Sequence, residues 1–253
     1  MLVGSADVDA IVQAQATATI ARFRTDAVVL SGVTCLQMTA EMRKSAREAV
    51  LPPSLHPTIP PALSIQVWRV AESPWGAFHW ALTRISCRSG VRARGFTSAA
   101  FVSTRTACEG LRAAFGFPAR VADVELRCGY DGADATVSLE GRTALRIASI
   151  DPVPLDRNDV QYTGTLNLAH TPNGLRLVQV EADHEATRVE RLSARLDAFD
   201  PAAWGNALLV PVFVVSASLA QETVSFPPVR FVCRPDELAF TGTEQVDADA
   251  RPA

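Results

Sequence analysis

A chain of 253 residues with 48% apolar content and a net charge of −3 is long enough for a substantial core and too apolar for disorder. With no basic block and only 7% aromatic residues, it carries no nucleic-acid surface signal. No apolar run reaches the roughly 18 residues of a membrane span, and Met1-Leu2-Val3-Gly4-Ser5-Ala6-Asp7 lacks the basic and apolar regions of a signal peptide, so a cytoplasmic protein is expected.

The five cysteines, Cys35, Cys87, Cys108, Cys128 and Cys233, are odd in number and scattered. They read as reduced, mostly buried thiols and not as a disulfide or zinc framework. Lys44 is the only lysine, against arginine elsewhere, a usage typical of a GC-rich bacterial genome.

In chain order, residues 1–17 read as a loose arm or short helix. Ala18–Leu36 alternates as an early strand pair. Thr39 is placed to cap a helix over Ala40–Val50, ended by Pro52 and Pro53. Strands follow over Leu63–Ala71, Ala77–Arg88 and Val91–Ser103, with a turn at Ser73-Pro74-Trp75-Gly76. Thr104–Phe115 reads as a helix closed by Gly116 and Pro118. Further strands are expected over Arg120–Tyr130, Ala133–Leu139, Thr143–Ile150, Val160–His170, Leu175–Asp183, Leu208–Ala220 and Val229–Cys233. Glu185–Phe199 fits helix and strand alike. Residues 236–253 lose apolar periodicity and read as a tail. Many short strands with glycine and proline turns predict a mainly β (α+β) architecture, an antiparallel barrel or sandwich in one domain over 18–235.

The segment Leu111-Arg112-Ala113-Ala114-Phe115-Gly116-Phe117-Pro118-Ala119-Arg120 resembles the active-site segment of the acetoacetate decarboxylase family. That pattern reads Gly-Arg-Glu, two variable residues, then Gly-(Phe or Tyr)-Pro-Lys-Lys. Arg112, Gly116, Phe117 and Pro118 match. Ala119 stands at the Schiff-base lysine and Arg120 at the second lysine. Leu51-Pro52-Pro53-Ser54-Leu55-His56-Pro57 resembles the family's Leu-Pro-x-x-Leu-x-Pro segment. In Gly76-Ala77-Phe78-His79-Trp80, Phe78 and Trp80 replace a tyrosine and a glutamate. The resemblance spans residues 18–235. It implies a closed, cone-shaped antiparallel β-barrel with a few short helices, an internal apolar pocket and a homo-oligomer.

It also implies a small-molecule substrate, a carboxylate or ketone. The family's lysine forms an imine with its substrate, and neither alanine nor a guanidinium can. The expected catalytic residues are therefore Arg112 and Arg120, as donors to a developing enolate. Phe78, Trp80, Phe117, Pro118 and Ala119 are expected to line the substrate pocket, with Phe78, Trp80 and Leu82 on one strand face. His184, within Glu181-Ala182-Asp183-His184-Glu185, reads as a solvated turn and not as a metal ligand. No phosphate-binding glycine loop, nucleophile elbow or metalloprotease pair occurs, so no cofactor and no metal is expected. Two functions fit: lyase, dehydratase or cyclase chemistry on a small oxo-acid or polyketide-like substrate, or non-catalytic binding of a small molecule.

Overall fold

A computed structural model describes residues 2–160 and 162–246. Helix α1 (Val8–Ala14) opens the chain, followed by β1 (Ala18–Thr19), β2 (Val28–Met42), β3 (His56–Pro57), β4 (Ala62–Val70), β5 (Phe78–Ser89) and β6 (Arg92–Val102). Helix α2 (Arg105–Phe115) leads to β7 (Ala119–Val121), β8 (Asp123–Cys128), β9 (Gly132–Leu139) and β10 (Arg142–Pro154). Then come β11 (Thr165–Thr171), β12 (Gly174–Val180), β13 (Asp183–Phe199), β14 (Pro211–Phe226), β15 (Phe231–Cys233), α3 (Ala239–Gly242) and β16 (Thr243–Gln245).

The strands form one sheet in the order β16-β15-β12-β11-β6-β5-β4-β2-β14-β13-β10-β9-β8, with β1 on β11, β3 on β5 and β7 on β6. The mainly β architecture expected from the turn spacing is present. Closure is not, because β8 and β16 end the ladder without pairing to each other. The sheet instead curls so that β8 packs across β4, β5 and β6.

This curl explains why the central strands are buried on both faces. Leu36, Val67, Ala81 and Phe101 join one core with Val124, Leu126 and Val137 of the curled end. Cys35, Trp68, Trp80 and Leu82 join a second core with Leu111, Phe115 and Phe117 from α2 and its exit. Strand alternation puts neighbouring residues into opposite cores. At about 25 cal/mol per Å² of apolar surface, burial on both faces makes these strands the most strongly fixed part of the molecule.

Two expectations are corrected. No helix forms over Ala40–Val50. Strand β2 continues to Met42, pairing Glu41 with Ala62 on one side and Met42 with Pro211 on the other. Alternate burial of Met38, Ala40 and Met42 decides the matter, since ladder pairing and packing outweigh a weak helix preference. Only a 3-10 turn at Lys44–Ala46 remains. The ambiguous Glu185–Phe199 stretch is strand, held between β10 and β14. Of the expected tail, residues 239–245 carry α3 and β16, which pairs with β15, and 247–253 lie outside the described residues.

Helix α2 forms as its sequence dictates. The Thr104 hydroxyl accepts from the Ala107 N–H at 3.4 Å, and Ala107, Cys108, Leu111, Ala114 and Phe115 make its buried stripe. Gly116 ends it in the left-handed region at φ 70°, with its N–H on the Arg112 carbonyl at 3.0 Å. A Cβ there would lie 2.7 Å from the Ala169 Cβ. Gly116→Ala is therefore expected to destabilise the fold by about 2–3 kcal/mol from backbone strain and collision. Thermal unfolding should show a fall of several degrees. An unchanged melting temperature would remove the special role of this glycine.

Candidate active site

Along β5, Phe78, Trp80, Leu82 and Arg84 share one face by alternation. Trp80 and Leu82 oppose Trp68 and Gln66 of β4. The Trp68 and Trp80 rings lie 5.1 Å apart, and Phe117, delivered by the turn after α2, meets Trp80 edge-on at 4.8 Å. Phe226 from the end of β14 lies 6.4 Å from Trp80. These rings wall a cavity of about 80 Å³. That holds roughly half a dozen non-hydrogen atoms, a three- or four-carbon acid.

The opposite wall is polar. Arg84, with 7% exposure, donates from Nη1 to the Thr163 carbonyl at 2.9 Å and the Thr165 hydroxyl at 3.0 Å. Among the described residues its Nε has no partner, and neither do the indole N–H groups of Trp68 and Trp80. A buried donor without an acceptor is costly, and all three belong to side chains that line the cavity. Burial pushes the Arg84 guanidinium down to about 10, partly offset by the nearby Cys35 and Cys87 sulfurs, so it stays charged at neutral pH.

His184 also lines the cavity. It lies in β13, its side chain only 10% exposed, with Nδ1 at 3.0 Å from Glu222 Oε2 on β14. The Tyr162 ring stacks on the imidazole at 3.7 Å and donates its hydroxyl to the same Oε2 at 2.8 Å. Glu222 Oε1 is buried without a partner. Burial, and then the Glu222 charge, raise the Tyr162 phenol, which keeps its proton. A carboxylate only accepts, so Nδ1 carries the hydrogen; in the neutral imidazole the lone pair is then at Nε2. That is the form of a general base with an orienting carboxylate. Burial, and next Glu222, likewise raise the Cys35 thiol well above its usual range, leaving it a poor nucleophile.

Gly164 brings the loop before β11 against this wall. A Cβ there would lie 2.2 Å from Arg94 Nη1 and 2.6 Å from Glu181 Oε2, the partners of a bidentate ion pair at the cavity edge. Among the described residues no group of three or more His, Cys, Asp or Glu side chains could hold a metal ion, and no helix is long and apolar enough to cross a membrane.

Trp80 and Phe117 are cavity walls. Phe78 and Ala119 lie in the same aromatic core, and Pro118 is buried beside them, but none of the three touches the cavity. The two motif arginines lie elsewhere. Arg112 ties the end of α2 to the chain around it, donating to the carbonyls of Ala16 at 2.6 Å, Ala119 at 3.0 Å and Thr17 at 3.1 Å. In β7, Ala119 pairs with Ala100 and Arg120 with Phe101, so alternation sends the two side chains to opposite cores. Arg120 lies 5.1 Å from the Phe101 ring centroid and donates to the Ala203 carbonyl at 2.7 Å. Lys44 is exposed on the turn after β2.

The sequence reading missed Arg84, Tyr162, His184 and Glu222. Arg84 had a signal, as the charged residue that follows Phe78, Trp80 and Leu82 on their face of the strand. The expected solvated turn at His184 is a correction: residue 183 already starts β13, and the ring is covered by Tyr162. Nothing local joins His184 to Glu222.

A sequence profile described as acetoacetate decarboxylase (ADC) matches residues 12–234. The chain belongs to the acetoacetate decarboxylase family. Solved structures of the fold agree at low identity. Acetoacetate decarboxylase from Legionella pneumophila subsp. pneumophila str. Philadelphia 1 is 17% identical with a TM-score of 0.70, over 83% of this chain and 88% of that one. The enduracididine biosynthesis enzyme MppR, in complex with pyruvate, is 17% identical with a TM-score of 0.67, over 81% and 89%. An acetoacetate decarboxylase-like enzyme from Sphingomonas wittichii RW1 is 13% identical with a TM-score of 0.66, over 88% and 94%. Comparison with curated proteins gave no match. Within the family pattern, position 119 is a buried alanine packed beside Trp80 and Phe117.

Proposed function

We propose that this member of the acetoacetate decarboxylase family is an enzyme that works through an enolate without an imine, on a small oxo-acid or polyketide-like substrate. One observation carries the reading: a buried arginine and two tryptophans, each with a donor left unpartnered among the described residues, line a small aromatic cavity together with a histidine hydrogen-bonded to a buried carboxylate.

The chemistry follows from those groups. A carbonyl oxygen in the cavity accepts from Arg84 Nε and from an indole N–H. His184 Nε2 takes the proton from the adjacent carbon. The C–H electron pair becomes the enolate double bond, and the carbonyl π pair moves onto oxygen. Arg84 faces the charge that develops there. The imidazolium that forms is stabilised by Glu222. Returning the proton to carbon gives exchange, losing a β-hydroxyl as water gives dehydration, and attack of the enolate carbon on a second carbonyl gives ring closure. Loss of carbon dioxide from a β-oxo-acid reaches the same enolate. The catalytic arginine of this reading is Arg84. Arg112 and Arg120, expected from the motif, serve as tethers of the backbone.

Two measurements test it together. Acetoacetate with borohydride is expected to leave the intact mass unchanged, because position 119 has no amine. Pyruvate in D2O is expected to lose its methyl proton signal faster with the protein than without it. A reduced adduct at Lys44 would restore the imine. Tight pyruvate binding with no exchange would make the protein a binder and not an enzyme.

A further inference from the structure

The aromatic cavity shares two lining residues with a neighbouring space. Arg84 and Thr163 line both, and the second space is larger, about 490 Å³, on the same face of the sheet. The shared face follows from alternation. Cys35, Gln37 and Thr39 of β2, Trp68, Gln66 and Ser64 of β4, and Trp80, Leu82, Arg84 and Ser86 of β5 run in parallel rows from aromatic to polar. The second space is walled by hydroxyl and amide side chains, Gln37, Thr39, Ser64, Ser86 and Ser218, interleaved with apolar ones such as Leu155 and Val160, and with Asp159 and Arg191 as opposite charges. Ser64 Oγ is buried without a partner among the described residues.

Such a wall matches a neutral, hydroxylated chain. Hydroxyl groups both donate and accept, as such a chain requires. A second carboxylate would meet Asp159 as well as Arg191. An aliphatic chain would pack on Leu155 and Val160 but would displace water from the Ser and Thr hydroxyls without replacing its hydrogen bonds. Arg84 stands where the two spaces meet, so it faces an interior oxygen of a bound molecule.

We infer, resting on the enolate reading above, that the substrate is an oxo-acid with a polyhydroxylated tail. The carbonyl sits at Arg84, the short acid head lies in the aromatic cavity, and the tail lies in the polar groove. The head then meets the free indole donors of Trp68 and Trp80.

Calorimetry with two acids of the same head tests this. Pyruvate has no tail, and 2-oxo-3-deoxygluconate carries three hydroxyl groups beyond the head. The longer acid is expected to bind at least roughly tenfold tighter, the worth of one or two added hydrogen bonds. Ser64→Val and, on the half-buried wall, Ser218→Leu are each expected to bring its affinity down toward that of pyruvate. Equal affinity of the two acids for the unaltered protein, or a gain that survives both substitutions, would overturn the groove assignment alone. If neither acid binds, the enolate reading fails with it.

Discussion

His184→Gln is expected to lower protein-catalysed methyl exchange of pyruvate by about 10²–10⁴-fold, the usual contribution of a positioned general base. Glutamine is the informative replacement. Its amide can still donate to Glu222, whose carboxylate is fully buried and would otherwise lose a partner. A folded, ligand-binding variant with lost exchange then isolates the missing lone pair at Nε2. Glu222→Gln is expected to act in the same direction. An amide can accept from Nδ1 but offers no charge to an imidazolium. Tyr162 would keep its place, since its hydroxyl can donate to the amide oxygen. Full exchange activity in His184→Gln would remove the histidine from the chemistry and return it to packing against Tyr162.

Arg84→Gln is expected to have the second large effect. A donor aimed at charge that develops on oxygen contributes more to turnover than to ground-state binding. Loss of one such donor typically lowers turnover by about 10²–10³-fold. Oxamate keeps the shape of pyruvate but has no proton on carbon to lose, so its affinity reports the ground state. Exchange should fall by roughly a hundredfold or more, and oxamate affinity by less than about tenfold. Equal losses in both would make Arg84 a simple anchor for a carboxylate. Because the guanidinium also holds Thr163 and Thr165, circular dichroism and melting must show the variant folded. Arg84→Lys should rescue little, since one ammonium cannot hold both threonines and still present a donor at the position of Nε.

The pattern of the chain made several elements legible. Helix α2 follows from Thr104, its apolar stripe and Gly116, all local features. The strands around Trp80 follow from period-two alternation, which also puts Phe78, Trp80 and Leu82 on one face. The segment Gly116-Phe117-Pro118 carries the family resemblance that the matched profile confirms over 12–234. Where local signals misled, a ladder overrode them. The Thr39 cap signal lost to pairing with β4 and β14, and the helical spacing in Glu185–Phe199 lost to β10 and β14.

Residue types and their alternation determined the strands, the aromatic face and the absence of an amine at position 119. Those depend on neighbours one to four residues apart. The tertiary structure alone decided which polar groups meet. Arg120 points away from the cavity because β7 pairs with β6 in a register that sends Ala119 and Arg120 to opposite faces. His184 and Glu222 are 38 residues apart and meet only through the pairing of β13 with β14. Arg84 reaches the cavity wall where two threonines from the β11 entrance hold its Nη1, an arrangement that only the packing of β11 against β5 and β6 brings about. Periodicity fixes the direction of a side chain from its own strand, whereas burial and partnership of a charge depend on strands brought together across long loops.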